Sequence, residues 1–190
     1  MKIMNASFEI PKIASTTILL IDMQERLLNA MPKSISATIA NQKILLEAAK
    51  LLNVDVIVTE QYPKGLGVTT NELSATFDSA WPILEKSTFS ALGSPQVKTE
   101  LNKKSIRTVI LAGIESHVCV LQTAIDSLNS GWNTILLTNA VNSRQETDYD
   151  TALKTATIAG CVPMTVESLI FMLMRNSKHP AFRSISQLLR

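Results

Sequence analysis

TVILAGIESHVCVLQTAIDSLNSG, residues 108–131, is the stretch whose reading decides the fold. Thr108–Ala112 is a short, β-branched apolar run, the pattern of a strand buried on both faces. Gly113 breaks it, and a brief polar segment follows. Leu121, Ala124, Ile125 and Leu128 then repeat at i, i+3, i+4 and i+7, the spacing of a helix with one apolar face. Gly131 is placed where such a helix stops. The unit is strand, break, helix. Its one oddity is Cys119, which lies just after the apolar run, where the helix begins.

The same unit recurs along the chain. Thr16–Ile21, TTILLI, reads as a first buried strand, and Val54–Thr59, VDVIVT, as a second. Pro82–Glu85 is a weaker third, Thr108–Ala112 the fourth, Thr134–Thr138 the fifth and Val162–Val166 a sixth. Helical spacing at Leu45, Ala48, Ala49 and Leu52 lies between the second strand and the first, with Asn53 as its stop. Ser94-Pro95 reads as a cap with proline in the first turn. Thr147 and Asp150 resemble a capping box. Alternation of this kind implies right-handed crossovers and a parallel sheet between two helical layers.

The 190 residues, 46% apolar and 18% charged, suit one globular domain with a sizeable core. That domain spans 1–190, with 1–15 as an N-terminal extension and 176–190 as a C-terminal tail. The net charge of +2 is too small and too scattered to point to nucleic acid; Lys103-Lys104 reads as a solvated helix end. No apolar run reaches membrane-spanning length, and the first residues lack a secretory signal pattern. The expectation is a soluble, cytoplasmic protein, with a mitochondrial place left open. Two cysteines, Cys119 and Cys161, are too few for a disulfide framework and lack zinc-ligand spacing. Cys161, Met172 and Met174 read as core. The G-x-G-x-x-G and G-x-S-x-G motifs do not occur, and KGLG at 64–67 is too short to cradle phosphates.

Open parallel sheets bind ligands beyond the carboxyl ends of their strands. Asp22 follows the first strand, Glu60 and Gln61 the second and Lys86 the third. Glu115, Ser116, His117 and Cys119 follow the fourth, and Asn139, Asn142 and Arg144 the fifth. An acid, a lysine and a thiol thus converge on one edge. A cysteine attacks as thiolate, so something must lower its pKa or take its proton. The helix start and Lys86 favour the anion. Asp22 can take the proton and return it to a leaving group. Unpaired amides at the same helix start can hold an oxyanion. Plainer readings stand beside these: Cys119 as a small buried apolar residue, Asp22 as a helix cap, Lys86 as a solvated partner of Glu85. His117 invites a Cys–His dyad, but residues two apart on a helix face different ways.

LLIDMQERL at 19–27, VTEQYPKGLG at 58–67, EKSTFSA at 85–91 and GIESHVCV at 113–120, in this order, resemble the isochorismatase-like cysteine hydrolases. The resemblance runs from about Thr16 to the C-terminus and is nearest to the isochorismatase domain-containing proteins. It implies a three-layer αβα, Rossmann-like fold with a six-stranded parallel sheet. It implies a catalytic triad of Asp22, Lys86 and Cys119, and a cis peptide between Ile114 and Glu115. That bond would turn the Glu115 amide inward to join the Cys119 amide as an oxyanion hole. Gln61, Tyr62 and Phe89 fall where pocket walls are expected. Family nicotinamidases carry an aspartate and histidines for a metal after the second strand, and TEQYPKGLG has no histidine. No metal, no cofactor and no nicotinamidase activity are therefore expected. Members that cleave a vinyl ether can lack the cysteine, which this chain keeps. The resemblance thus implies a metal-independent hydrolase of a small amide or imide, working through an acyl-enzyme on Cys119. It further implies a homo-oligomer with a small-molecule substrate and no nucleic-acid or membrane partner. The alternative is an oligomeric interaction protein with this fold and no turnover. HPAFRSISQLLR at 179–190 is amphipathic enough to pack on a neighbour or on its own core.

Overall fold

The computed structural model describes residues 8–103 and 105–190. Lys104, and with it the reading of the Lys103–Lys104 pair, lies outside the described residues, as do residues 1–7 of the expected N-terminal extension.

Six parallel strands, β1 (Thr16–Ile21), β2 (Asp55–Gln61), β3 (Ile83–Lys86), β4 (Thr108–Ile114), β5 (Asn133–Asn142) and β6 (Val162–Met164), form one sheet in the order β3-β2-β1-β4-β5-β6. Along the chain come the short α1 (Glu25–Leu28), the long α2 (Ile35–Leu52), the single turns α3 (Pro63–Leu66) and α4 (Asn71–Ser74), then α5 (Pro95–Asn102), α6 (Leu121–Asn129), α7 (Glu146–Ala159), α8 (Val166–Met174) and α9 (Phe182–Leu188).

Every residue of β1 is buried because its two faces meet two different cores. Ile18 and Leu20 point to the layer of α2, α8 and α9, while Leu19 and Ile21 point to the layer of α5, α6 and α7. The same alternation divides Val56 and Val58 from Ile57, and Ile110 and Ala112 from Val109 and Leu111. This is why the strands read as continuous apolar runs instead of alternating ones. The three-layer αβα architecture expected from the sequence is the observed one. The tail folds back on its own chain: Ile185 of α9 is fully buried in the α2 layer. Cys161 and Met174 are buried as expected.

Element ends differ from the sequence reading in several places. The second and fourth strands run on to Gln61 and Ile114, and the fifth to Asn142, so Asn139 and Asn142 belong to the strand's end and not to a following loop. The register of β4 on β5 shifts between Leu111 and Gly113, which lets that longer end stay paired. The sixth strand stops at Met164 because Thr165 caps α8, its hydroxyl accepting the Ser168 amide at 3.2 Å. Thr147 and Asp150 form no capping box: α7 already starts at Glu146, after an extended Gln145, and both residues sit inside it. Ser94 does precede Pro95 at the start of α5, but its side chain makes no cap bond. Asn53 ends α2 in the left-handed conformation, as expected.

The chain winds outward from β1 to β3, then crosses back to β4 and winds the other way, so the direction of winding reverses between β1 and β4. Gly113 fixes how close these two strands come. It has φ +124°, and a Cβ there would lie 2.1 Å from the Ile21 carbonyl oxygen. Only glycine fits. The residues that follow the two strands, Asp22 and the segment from Glu115, therefore stand side by side at the switch point where such sheets hold ligands.

Candidate active site

Asp22 follows β1 with φ +53°, an uncommon conformation for a non-glycine residue. It caps no helix, because α1 begins only at Glu25 after Gln24. Its carboxylate is fully buried. One oxygen accepts the Thr59 hydroxyl at 2.8 Å, and the other the Lys86 ammonium at 2.6 Å. Thr59 is the residue of β2 in register with Ile21, so the sheet itself delivers this hydroxyl to Asp22. Lys86 ends β3 and reaches inward past β2. Its side chain is fully buried, and the ion pair with Asp22 is dry. The reading of Lys86 as a solvated partner of Glu85 falls here. The ammonium also donates to Gln61 Oε1 at 2.7 Å and to the carbonyls of Phe89 and Thr88 at 3.1 and 3.2 Å.

Cys119 sits in a π-helical turn, Ser116–Val120, that joins β4 to α6. A π turn spreads its residues more widely than an α turn and is common at functional sites. The Ile114–Glu115 peptide that opens this turn is cis. The thiol is nearly buried and interacts with both the Asp22 carboxylate and the Lys86 ammonium. The acid, the lysine and the thiol thus meet, although they come from the ends of three strands.

The electrostatics correct one expectation. The thiol is not made acidic. Burial, and then the negative charge of Asp22, push Cys119 up to about 12, and Lys86 pulls it down only in part. Burial also raises Asp22, against the lowering pull of Lys86, Thr59 and Cys119. Burial thus disfavours the charged form of both groups, the thiolate and the carboxylate. The expected acidification of the sulfur is absent, because desolvation of an anion and the Asp22 charge together outweigh the pull of Lys86. Of the two routes to a nucleophile, a lowered pKa or a base that removes the proton, the geometry serves the second.

The three pocket-wall candidates fall into two kinds. Gln61 turns its head into the site as an acceptor for Lys86, with its own amide donating to the Ser87 carbonyl at 2.9 Å. Phe89 supplies a backbone carbonyl to Lys86, while its side chain is 54% exposed. Tyr62 donates its backbone amide to the Lys86 carbonyl at 3.0 Å, while its side chain is 61% exposed. His117 forms no dyad with Cys119: its ring nitrogens face Ser143 and Asp148. Two contributors escaped the sequence reading. Thr59 holds Asp22, and only the strand register signals it. Gln24, fully buried, takes the Gln61 amide N–H on its Oε1 at 2.7 Å and donates to the Gln61 and Gly67 carbonyls at 3.0 and 2.6 Å, fixing the 61–67 loop. Glu60, expected at the edge, is tied up by the backbone amide and hydroxyl of Thr69. Among the described residues, no group of three or more His, Cys, Asp or Glu side chains is placed to hold a metal ion. Likewise, no helix there is long and apolar enough to cross a membrane.

The isochorismatase domain model matches residues 16–168. The secreted isochorismatase effector Isc1 of Phytophthora sojae is 36% identical over 180 residues, 93% of this chain and 85% of that protein. Isochorismatase domain-containing protein 1 of Danio rerio is 34% identical over 178 residues; the match takes in 93% of this chain but 62% of that longer protein. Among solved structures, the MAR1 ribonuclease of Caenorhabditis elegans superposes with a TM-score of 0.89 at 36% identity, covering 94% of this chain and 91% of that one. With its sheet order, its switch-point site and these matches together, the chain belongs to the isochorismatase-like hydrolase family.

Proposed function

We propose that the chain is a cysteine hydrolase of small amides or imides, with Cys119 as nucleophile, Asp22 as general base and acid, and Lys86 as electrostatic support. The observation that carries this reading is the dry Asp22–Lys86 pair set against the Cys119 thiol. A buried ion pair is costly to build and is weak evidence for stability, so chemistry is the better reason for one at a sheet's ligand edge.

The steps balance as follows. Asp22 takes the thiol proton as sulfur attacks the carbonyl carbon, and the oxyanion is received by the amides of Glu115 and Cys119. The carbon–nitrogen bond breaks, and the proton on Asp22 passes to the leaving nitrogen. Water then adds to the thioester and gives a proton to Asp22; the acid product departs, and the sulfur recovers its proton. Lys86 stays charged throughout. It steadies Asp22 in the carboxylate form and offsets the negative charge on sulfur. No metal or cofactor enters these steps.

A panel of small primary amides and cyclic imides, followed by intact-mass measurement, tests the reading. An acyl adduct on Cys119 and loss of turnover in Cys119→Ala are expected. Full turnover in Cys119→Ala overturns it. Single-stranded RNA belongs in the same panel, since the C. elegans relative is a ribonuclease by name. RNA cleavage that survives Cys119→Ala would assign this chain a different chemistry. The high thiol pKa is the observation that favours the second reading, an interaction protein with an idle thiol; no adduct and no turnover across the panel decide for it. Either way a homo-oligomer is proposed, because Tyr62 and Phe89, on the segments that flank Lys86, leave exposed aromatic surface for a second copy to cover. Light scattering on the eluting protein reads the mass directly.

A further inference from the structure

His117 lies two residues before Cys119 in the π turn, yet points away from it. Its Nδ1 is 3.0 Å from the Ser143 hydroxyl, and its Nε2 is 3.7 Å from the Asp148 carboxylate. Both partners belong to another part of the chain: Ser143 follows β5, and Asp148 is in the first turn of α7. Ser143 is almost wholly buried and is itself held, its amide donating to Asn142 Oδ1 at 2.8 Å. A second clamp lies beside the first. Glu115, also in this segment, takes the Arg144 amide at 3.1 Å and the Arg144 Nε at 3.0 Å on one carboxylate oxygen. Alternate residues of the cysteine-bearing segment, 115 and 117, are thus fastened to consecutive residues, 143 and 144.

A single π turn at the start of a helix is rare and is often found at functional sites. Here the Val118 and Val120 amides share a single acceptor, the Glu115 carbonyl, at 3.1 and 3.2 Å. Its shape therefore depends on what holds it from outside. We propose that His117 is a positioning residue, which locks the Cys119 turn to the β5–α7 junction through Ser143 and Asp148. The tautomer follows from the partners: Nδ1 accepts the Ser143 hydroxyl proton, and Nε2–H faces the Asp148 carboxylate. The lock keeps sulfur aimed at the carbonyl carbon and in reach of Asp22. The inference rests on the reading of Cys119 as nucleophile for its effect on turnover, but its effect on the thiol stands without it.

Iodoacetamide is the probe, with Cys161 as internal control because it is also buried and makes none of the clamp's contacts. In His117→Ala and in Ser143→Ala, the loosened turn exposes sulfur. Cys119 is then alkylated about tenfold faster while Cys161 is unchanged, and turnover of any amide found in the panel falls by about tenfold to a hundredfold with KM little altered. His117→Asn keeps an acceptor near the Nδ1 position and restores most of both; His117→Gln reaches toward Asp148 without the Ser143 bond and does not. An unchanged Cys119 rate in both alanine variants, Cys161 rising in parallel with Cys119, or His117→Asn behaving like His117→Ala overturns the proposal. Turnover that survives Cys119→Ala defeats the nucleophile reading instead, and leaves the alkylation result to judge His117 separately.

Discussion

Asp22→Asn separates the two ways a cysteine can be activated. If Asp22 ionised the thiol by making it acidic, its loss would slow every reaction of Cys119. The structure requires the opposite for alkylation. Asp22 is the second-largest cause, after burial, of the raised thiol pKa, while Lys86 lowers it. Two unit charges about 4 Å apart at an effective dielectric of about 20 interact by about 4 kcal/mol, the equivalent of about 3 pH units. Burial has the larger share of the rise and Lys86 offsets part of the Asp22 effect, so removing the carboxylate should lower the thiol pKa by about one unit, raising the thiolate fraction near neutral pH about tenfold. Iodoacetamide should therefore alkylate Asp22→Asn about tenfold faster than the parent. Amide turnover should nevertheless fall by about a hundredfold or more, because no base remains to carry the proton to the leaving nitrogen. The pH dependence of the alkylation rate, read by intact mass, tests the first half, and turnover of a panel substrate the second. Replacing one partner of a buried pair costs about 3–5 kcal/mol, so the double variant Asp22→Asn, Lys86→Met serves as a control in which neither charge is stranded. Slower alkylation in folded Asp22→Asn, or turnover within about tenfold of the parent, refutes the reasoning.

Lys86→Met should act with the reverse sign on the thiol: loss of the ammonium raises the Cys119 pKa further and slows alkylation about tenfold. Gln61→Met removes the 2.7 Å acceptor on Lys86, and a melting curve should show a loss of about 1–3 kcal/mol. Alkaline unfolding provides a third check. Cys119 and Cys161 both rise from 9.0 to about 12 on folding, so each keeps its proton in the folded state while the unfolded chain ionises above pH 9.0. Stability is thus full below that pH and falls above it, by about 1.4 kcal/mol per pH unit for each thiol. Urea midpoints at pH about 8 and about 10 measure this, and Cys161→Ala should halve the slope. In Gly113→Ala, the new Cβ meets the Ile21 backbone at 2.1 Å. A loss of more than about 3 kcal/mol is expected, and a variant as stable as the parent would show that β1 and β4 can part without cost.

The sequence by itself determined the layers and the direction of the strands. Runs such as TTILLI at 16–21 admit no alternating solvent face, so they had to be buried on both sides, and the helical spacings between them supplied the cover. The edge that carries Asp22, Lys86 and Cys119 followed from that topology, since the end of a parallel strand is fixed once the strand is. Strand ends were less legible: the extra residues of β5 are held by a shifted register with β4, which no local pattern records. Thr147–Asp150 looked like a cap because capping motifs are local, and here the tertiary turn at 142–145 started the helix earlier. The tertiary structure alone decided the charges. A pKa depends on how much water reaches a group and which charges stand within a few ångströms. For Asp22 and Cys119 both are set by residues tens of positions away, among them Thr59 and Lys86. The sequence therefore placed a thiol beside a carboxylate, and only the packed interior decided that burial raises the pKa of both while Lys86 pulls each of them back.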